Sequence, residues 1–115
     1  LILASNVNTN KLREYLDENG FFIDKDFLSF ENGKYYDILK VSYGKKQDLS
    51  LEEYYYGHTD IKNKSELLRK KLGLDREKNE GFLREIKKNS HDKKAMKKIE
   101  DRLKAIREVE KICEF

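Results

Sequence analysis

Residues 21–43 read FFIDKDFLSFENGKYYDILKVSY, two segments rich in apolar residues on either side of the dipeptide Asn32-Gly33. Asn-Gly is a strong hairpin signal, because both residues tolerate the positive φ that a two-residue turn requires. We therefore predict one strand over residues 21–30 and its antiparallel partner over residues 35–43. The polar run Asp24-Lys25-Asp26 is expected to interrupt the first of these strands.

The residues before this hairpin predict a strand followed by a helix. Residues 1–4 (LILA) are apolar, and a continuously apolar strand is typical of a sheet covered on both faces. The remaining sequence supplies no parallel neighbours for it, so we expect the chain to be a fragment. A helix follows, with Asn8 or Thr9 as its cap and Gly20 as its left-handed stop. Together these elements predict the C-terminal half of a doubly wound, Rossmann-like α/β sheet that carries an antiparallel hairpin.

Beyond Gly44 the sequence predicts helices only. Ser50 and Glu53 form a capping box that opens a short helix ending near Gly57. A second helical segment covers residues 65–73, where Gly73 is expected to end it, and two longer helices are expected after residue 76.

The last predicted helix carries an apolar stripe with spacings of three and four, typical of a coiled-coil seam. Its members are Met96, Ile99, Leu103, Ile106, Val109 and Cys113. Residues 89–92 are a natural break, which favours an antiparallel helical hairpin over one continuous helix. We therefore divide the chain into residues 1–48, part of a Rossmann-like domain, and residues 49–115, a helical or coiled-coil domain.

Composition narrows the class of protein. A length of 115 residues allows one domain or part of one, and 41% charged residues exceed the usual ~25%. No apolar run approaches the ~20 residues that span a bilayer, and no signal peptide is evident. The one cysteine, Cys113, falls at helical spacing with apolar residues, which favours a small core side chain. These features predict a cytoplasmic protein without a membrane partner.

Positive charge is concentrated around the predicted break. Residues 62–98 hold 14 basic and 6 acidic side chains, whereas residues 1–61 hold 7 and 11. We call the following six residues the hairpin lysines: Lys87, Lys88, Lys93, Lys94, Lys97 and Lys98. The last four form a lysine ridge along one side of a helix, which could follow a phosphate backbone. The alternative is a solvated coiled-coil surface with mixed Glu and Lys.

Few residues point to site chemistry. The sequence has no glycine-rich phosphate loop and no cysteine or histidine metal motif. For His58 and His91 an ordinary surface or capping role is favoured over a catalytic base. The tyrosines at 54–56 are expected to pack one domain against another rather than stack on bases. Asn6 follows the carboxyl end of the first strand, where open α/β sheets bind ligands, so it either lines a site or forms a plain turn.

Four segments closely resemble the second half of the bacterial tRNA N1-methyladenosine-22 methyltransferases. They are Leu1-Ile2-Leu3-Ala4-Ser5-Asn6, Leu12-Arg13-Glu14-Tyr15-Leu16 with Asn19-Gly20-Phe21, Glu31-Asn32-Gly33-Lys34-Tyr35-Tyr36-Asp37-Ile38-Leu39, and Tyr56-Gly57. The resemblance covers residues 1–57 by pattern and the remainder by architecture. It implies a class I methyltransferase domain, of which residues 1–44 form strands five to seven, followed by a coiled-coil domain.

The resemblance also implies an activity, a cofactor and a partner. Such enzymes use S-adenosylmethionine to methylate N1 of an adenine in the D-arm region of tRNA. The family usually has Gln-Pro-Asn where this chain has Ala4-Ser5-Asn6, so only Asn6 carries over as a catalytic candidate. The hairpin lysines are the RNA-binding candidates, and no metal site is expected.

The same resemblance places most of the cofactor site in an N-terminal half that this chain lacks. The chain alone is therefore expected to be inactive and to self-associate through the strand at residues 1–4 or through the coiled coil. The alternative function is a non-catalytic coiled-coil module that binds a protein partner or a second copy of itself.

Overall fold

The computed structural model describes residues 1–44, 47–89 and 92–115. Within these ranges the chain forms three strands and five helices. In chain order they are β1 (Ile2–Ser5), α1 (Thr9–Glu18), β2 (Phe21–Glu31), β3 (Lys34–Tyr43), α2 (Leu51–Tyr56), α3 (Thr59–Asn63), α4 (Glu66–Asn89) and α5 (Lys93–Cys113). Ser90 and His91, where the predicted break was placed, lie outside the described residues. None of the described helices is long and apolar enough to cross a membrane.

The three strands form one sheet in the order β1-β3-β2. Both outer strands pair antiparallel with β3, so β1 and β2 run parallel to each other and α1 connects them. Glu31 pairs with Lys34, and the turn between them has φ of 51° at Asn32 and 77° at Gly33. The predicted hairpin and the predicted order of strand, helix, strand, turn and strand are therefore confirmed.

The prediction that Asp24-Lys25-Asp26 interrupts the first strand of the hairpin, β2, is wrong. β2 runs unbroken to Glu31, and a register irregularity between Ile23 and Lys25 accommodates the polar run. Such a bulge redirects the side chains that follow it. Asp26 is accordingly buried, with 1% of its surface exposed, where it finds hydrogen-bond donors.

Some of the predicted helix caps and stops are confirmed, and others are not. The capping box of α2 is confirmed, because Ser50 and Glu53 exchange hydrogen bonds of 3.1 and 3.2 Å. Gly20 has φ of 78°, as a left-handed stop requires. Asn8 lies at the N-cap of α1 but makes no side-chain capping bond. The Thr9 hydroxyl donates instead to Ser5 Oγ (3.2 Å), which ties α1 to the end of β1.

The prediction that Gly73 ends a helix is also wrong, because α4 has 24 residues and continues through Gly73 to Asn89. A glycine inside a helix costs about 1 kcal/mol relative to alanine. Leu68 and Leu72 are buried before it and Asp75 after it, so the packed face continues across the glycine. α4 and α5 contact each other and are joined by three residues, so they run antiparallel, as predicted.

Two apolar clusters stabilise the fold. The smaller lies between α1 and the sheet, and its buried members are Leu16, Ile23, Leu39 and Val41. The larger lies among the helices and includes the buried seam residues Leu103, Ile106, Val109 and Cys113. Met96 and Ile99, in the N-terminal part of α5, are half-buried. Leu28 of β2 belongs to the larger cluster, so the helices pack directly on the sheet. The division at residues 48 and 49 stays a prediction.

Candidate functional site

A cleft of about 360 Å³ lies between the carboxyl end of β1 and the helical hairpin. We call it the main cleft. Residues 6–10 form one side, and residues of β2, β3, α2, α4 and α5 form the others. Its lining residues include Asn6, Asn8, Tyr35, Lys71, Asp75, Lys78, Phe82 and Arg102. Asn6 therefore lies beside a cavity, at the sheet edge where ligands bind in open α/β folds.

A buried network centred on Asp75 lines part of this cleft. The Tyr56 hydroxyl donates to Asp75 Oδ2 (2.8 Å) and accepts from Arg102 Nε (3.1 Å). Arg102 and Lys71 also pair with the Asp75 carboxylate at 3.2 and 3.0 Å. Burial raises the pKa of the Tyr56 phenol well above its ordinary value, and the nearby Arg102 cation partly opposes that rise. The phenol stays protonated, as its role as donor to Asp75 requires.

Aromatic rings and cations alternate along the walls. The Arg102 guanidinium lies 4.7 Å from the Tyr55 ring centroid and 5.0 Å from that of Tyr56. Lys71 Nζ lies 5.6 Å from the Tyr35 ring centroid. Such cation–π contacts contribute ~0.5–2 kcal/mol each. The main cleft is thus a polar cavity whose walls include aromatic rings in contact with cations.

The side chain of Arg13 connects the helix α1 to the strands and to α2 beside the main cleft. It is fully buried and donates to Asp37 Oδ1 (3.2 Å) and to the Tyr54 carbonyl (3.1 Å). Its Nε lies 3.7 Å from Asp26 Oδ2 without a hydrogen bond. A single guanidinium therefore joins α1, the two longer strands and α2.

Asp26 extends this connection to α3. Its carboxylate accepts hydrogen bonds from the backbone N–H groups of His58 (2.8 Å) and Thr59 (3.0 Å). Gly57 lies directly over the same carboxylate, where a Cβ would overlap it. The sheet and the helices are therefore held together by buried polar contacts as well as by apolar packing.

The hairpin lysines are all exposed. Lys98 lines a second cleft of about 430 Å³, together with Asn10, Lys11 and residues of the main cleft. Lys97 pairs with Asp101 at 3.4 Å on the open face of α5. The structure thus brings Asn6 and Lys98 into adjoining clefts, whereas the other five hairpin lysines line neither cleft.

The remaining singled-out residues have structural contacts. Tyr56 is buried in the larger cluster, which agrees with the packing interpretation of the tyrosines. A ring nitrogen of His58 lies 3.1 Å from the Ile23 carbonyl oxygen. Cys113 is a buried core side chain, as expected, and burial raises the pKa of its thiol. In the part of the chain that the structure describes, no His, Cys, Asp and Glu side chains group as metal ligands.

Sequence reasoning missed the Asp75 network and the cleft wall on α4. A signal was present, because Asp75 follows Leu68 and Leu72 at helical spacing and so interrupts an apolar stripe with a charge. Arg102 likewise precedes the seam residue Leu103. A charged residue at such a position needs a buried partner.

Comparison with known proteins matches the chain to one family. The family model described as tRNA (adenine(22)-N(1))-methyltransferase matches residues 1–109. No curated protein matches the chain.

Solved structures give the same result. A Streptococcus pneumoniae protein described as a candidate tRNA (m1A22) methyltransferase is 31% identical, with a TM-score of 0.80, over 95% of this chain and 48% of that one. The Bacillus subtilis m1A22 tRNA methyltransferase TrmK shares the fold at 22% identity, with a TM-score of 0.77 over 95% of this chain and 50% of that one. Mycoplasma capricolum TrmK, solved with S-adenosyl-homocysteine, shares it at 21% identity and a TM-score of 0.77, over 97% and 49% of the two chains. The chain therefore spans about half the length of these solved relatives.

Proposed function

This chain belongs to the tRNA (adenine(22)-N(1))-methyltransferase family, and from that premise we propose that it forms the RNA-facing half of an S-adenosylmethionine-dependent enzyme that methylates N1 of an adenine in tRNA. One observation carries the proposal: the polar residues after β1, with Asn6, share the main cleft with the cations Lys71, Lys78 and Arg102 of the helical hairpin. That is the arrangement needed to present a nucleotide to a pocket at the sheet edge.

The cofactor fits this chain only as a partial site. The Streptococcus pneumoniae relative was solved in complex with S-adenosyl-L-methionine, at a TM-score of 0.76 to this chain. The sequence has no glycine-rich loop for a nucleotide, but residues 5–10 present hydroxyl and amide groups suited to the outer wall of a pocket. When bound, the cofactor supplies the methyl group.

Asn6 is our candidate for positioning the target base. N1 of adenine is a weak nucleophile, so methyl transfer depends chiefly on holding it in line with the methyl group. An amide side chain can both donate to and accept from the edge of a base.

The hairpin lysines are the proposed tRNA contacts. α5 has no acidic residue in its first turn, which instead carries Lys93 and Lys94 beside the Asp92 cap. Cations at a helix N-terminus are disfavoured by ~0.3–1 kcal/mol, so helix stability does not explain these residues. A polyanionic partner does, and we place that partner on the lysine ridge.

The alternative of a protein-binding coiled coil has less support. It needs the apolar seam of α5 to be open to a partner. Leu103, Ile106 and Val109 are buried within the chain, at no more than 7% exposure. These seam residues pack α5 against α4 and the other helices, so they are not open to a partner.

The first experiment measures tRNA binding by the 115-residue chain across a salt series. Each phosphate contact contributes ~0.7–0.9 to the slope of log K against log salt. Replacing Lys93, Lys94, Lys97 and Lys98 by Glu should weaken binding and flatten that slope. As a matched control, Lys25, Lys34 and Lys40 on the sheet half are replaced by Glu and should leave the slope unchanged. Equal behaviour of the two variants would contradict the proposed tRNA contact.

We also propose a cytoplasmic location, since tRNA is the proposed substrate, and self-association of this chain through the open edge of β1.

A further inference from the structure

We propose that Phe82 and Lys78 of α4 form a nucleotide subsite of the main cleft, in which an unstacked RNA base packs on the Phe82 ring while Lys78 faces its phosphate. This inference rests on the proposed function, because it assigns part of the RNA to a wall of the cleft that lies apart from the lysine ridge.

Phe82 is placed where packing does not require it. Its side chain is 49% exposed, and it belongs to neither apolar cluster, whereas its neighbour Leu83 packs against the larger one. Burying a phenylalanine typically stabilises a fold by ~1.5–3 kcal/mol, and this residue does not contribute that amount. It lies instead at the rim of the main cleft. An exposed aromatic ring beside a polar cavity is a surface on which a base can stack.

Lys78 supplies positive charge beside the ring. It precedes Phe82 by one helical turn, and its Nζ lies 5.8 Å from the ring centroid. Among the described residues, no carboxylate forms an ion pair with it, whereas Lys71 on the same helix is paired with Asp75. The cation–π contact fixes the ammonium near the ring but leaves its charge uncompensated.

The other charged side chains of the cleft all form ion pairs. Asp75 pairs with both Lys71 and Arg102, which leaves that group one positive charge in excess, and Asp37 pairs with the buried Arg13. Within the described ranges Lys78 is therefore the charged side chain of the main cleft without an ion pair, and its ammonium adds to that excess. A cleft with a net positive charge attracts an anion such as a phosphate group.

The opposite wall carries the groups that read a base edge. Asn6 and Asn8 both line the cleft, and no hydrogen bond involves either side chain among the described residues. Asn79 also lines it but is already committed, because its Nδ2 donates to the Asp75 carbonyl (2.7 Å). An aromatic face, one cation and free amides match a single-stranded nucleotide, which proteins bind by stacking and by hydrogen bonds to base edges.

The test uses the 115-residue chain with a fluorescein-labelled tRNA transcript, measured by anisotropy over a salt series. Phe82→Ala should weaken binding about 5- to 150-fold, the range that corresponds to losing one stacked base, with the salt slope unchanged. Phe82→Tyr should restore binding. Lys78→Ala should lower the salt slope by ~0.7–0.9. Leu74→Ala is the matched control, because Leu74 is 54% exposed on the same helix and does not line the cleft.

A second readout follows stacking directly. A transcript with 2-aminopurine at the target adenine or at a flanking position should change its fluorescence on binding to the wild-type chain. Phe82→Ala, with an unchanged melting temperature, should lose that change at one of these positions.

The possible results separate the two proposals. If Phe82→Ala binds like wild type while the lysine-ridge variant weakens, the subsite is wrong and Phe82 is free for a protein contact, but the proposed function stands. If the wild-type chain binds tRNA no more tightly than the lysine-ridge variant does, the proposed function itself is contradicted.

Discussion

Gly57 occupies a backbone position that is constrained both in its dihedral angles and in the space around it. It has φ of 75° and ψ of −170°, a region that essentially only glycine adopts, and it lies against the Asp26 carboxylate. That carboxylate holds the start of α3 through the N–H groups of His58 and Thr59. One small residue thus permits the contact that anchors α3 to β2.

We therefore expect Gly57→Ala to lower the free energy of unfolding by about 1–3 kcal/mol from backbone strain, with a further loss from the clash with Asp26. Gly33→Ala is the matched control, since Gly33 has φ of 77° but nothing within 4 Å of a Cβ. Urea unfolding of both variants measures the difference. Equal losses would show that the approach to Asp26 does not matter.

Asp60 gives the stability a pH dependence. Its carboxylate is 6% exposed and accepts a hydrogen bond from Leu28 N (2.7 Å). Burial raises the pKa of Asp60 above its ordinary value of 3.8, and the Leu28 bond opposes the rise. A raised folded-state pKa means that Asp60 contributes stability at low pH and loses that contribution as pH rises through the raised value.

Asp60→Asn removes this titration. The free energy of unfolding of the variant, minus that of wild type, should therefore increase as pH rises from 3.8 through the raised folded-state pKa of Asp60. Urea unfolding at several pH values measures it. A difference that stays flat or decreases would contradict the assignment.

Arg13 shows why residue-level contacts escaped the sequence. In the segment KLREYL an arginine is expected on the solvated face of a helix, yet this one is fully buried. Its partners Asp37 and Tyr54 follow it by 24 and 41 positions. No local pattern links residues so far apart. The position of Asn6 at the sheet edge beside a cleft could be predicted, because its signal, the end of a strand, is local.

At the level of elements, the two edges of the sheet differ. At the outer edge of β2, side chains accept hydrogen bonds from the backbone N–H groups. Ile23 N donates to Gln47, Asp26 N to Thr59 and Leu28 N to Asp60. β1 pairs with β3 on one side, and its other side has no strand partner among the described residues. Leu1, just before β1, and Ile2, its first residue, are each 71% exposed. An open apolar edge is a template for pairing with another chain.

We therefore expect the 115-residue chain to self-associate at high micromolar concentration in sedimentation experiments. Ile2→Lys should restore a monomer, because a charged side chain on an edge strand discourages pairing. A wild-type chain that stays strictly monomeric would contradict this expectation.

Elements were predicted well where one local signal dominated. Asn32-Gly33 and the Ser50–Glu53 capping box gave the hairpin and the start of α2. Gly73 misled, because its local preference as a helix end was overridden by the continuous packing of α4 on α5. α3 was missed because it is held by the side chain of Asp26 rather than by a pattern of its own.

At the scale of the whole molecule, the site arises where the sheet and the hairpin meet. The sequence indicated a polar strand end and a basic hairpin. It also showed that the positive charge lies in residues 62–98 rather than in residues 1–61. It could not show that Phe82 and Lys78 lie across a cleft from Asn6, because that depends on how the helices pack on Leu28 and Tyr35. The proposed function needs both halves of this arrangement.

The most direct measurement of that claim is methyl transfer by a chimera in which residues 1–109 replace the matching half of the Streptococcus pneumoniae relative. That relative was solved with S-adenosyl-L-methionine, so cofactor binding by the chimera is a check of its fold. We predict transfer of a labelled methyl group to N1 of adenine 22 in tRNA, none to a transcript with guanine there, and lower turnover at unchanged tRNA affinity for Asn6→Ala. A chimera that binds cofactor and tRNA but leaves adenine 22 unmethylated would contradict the account.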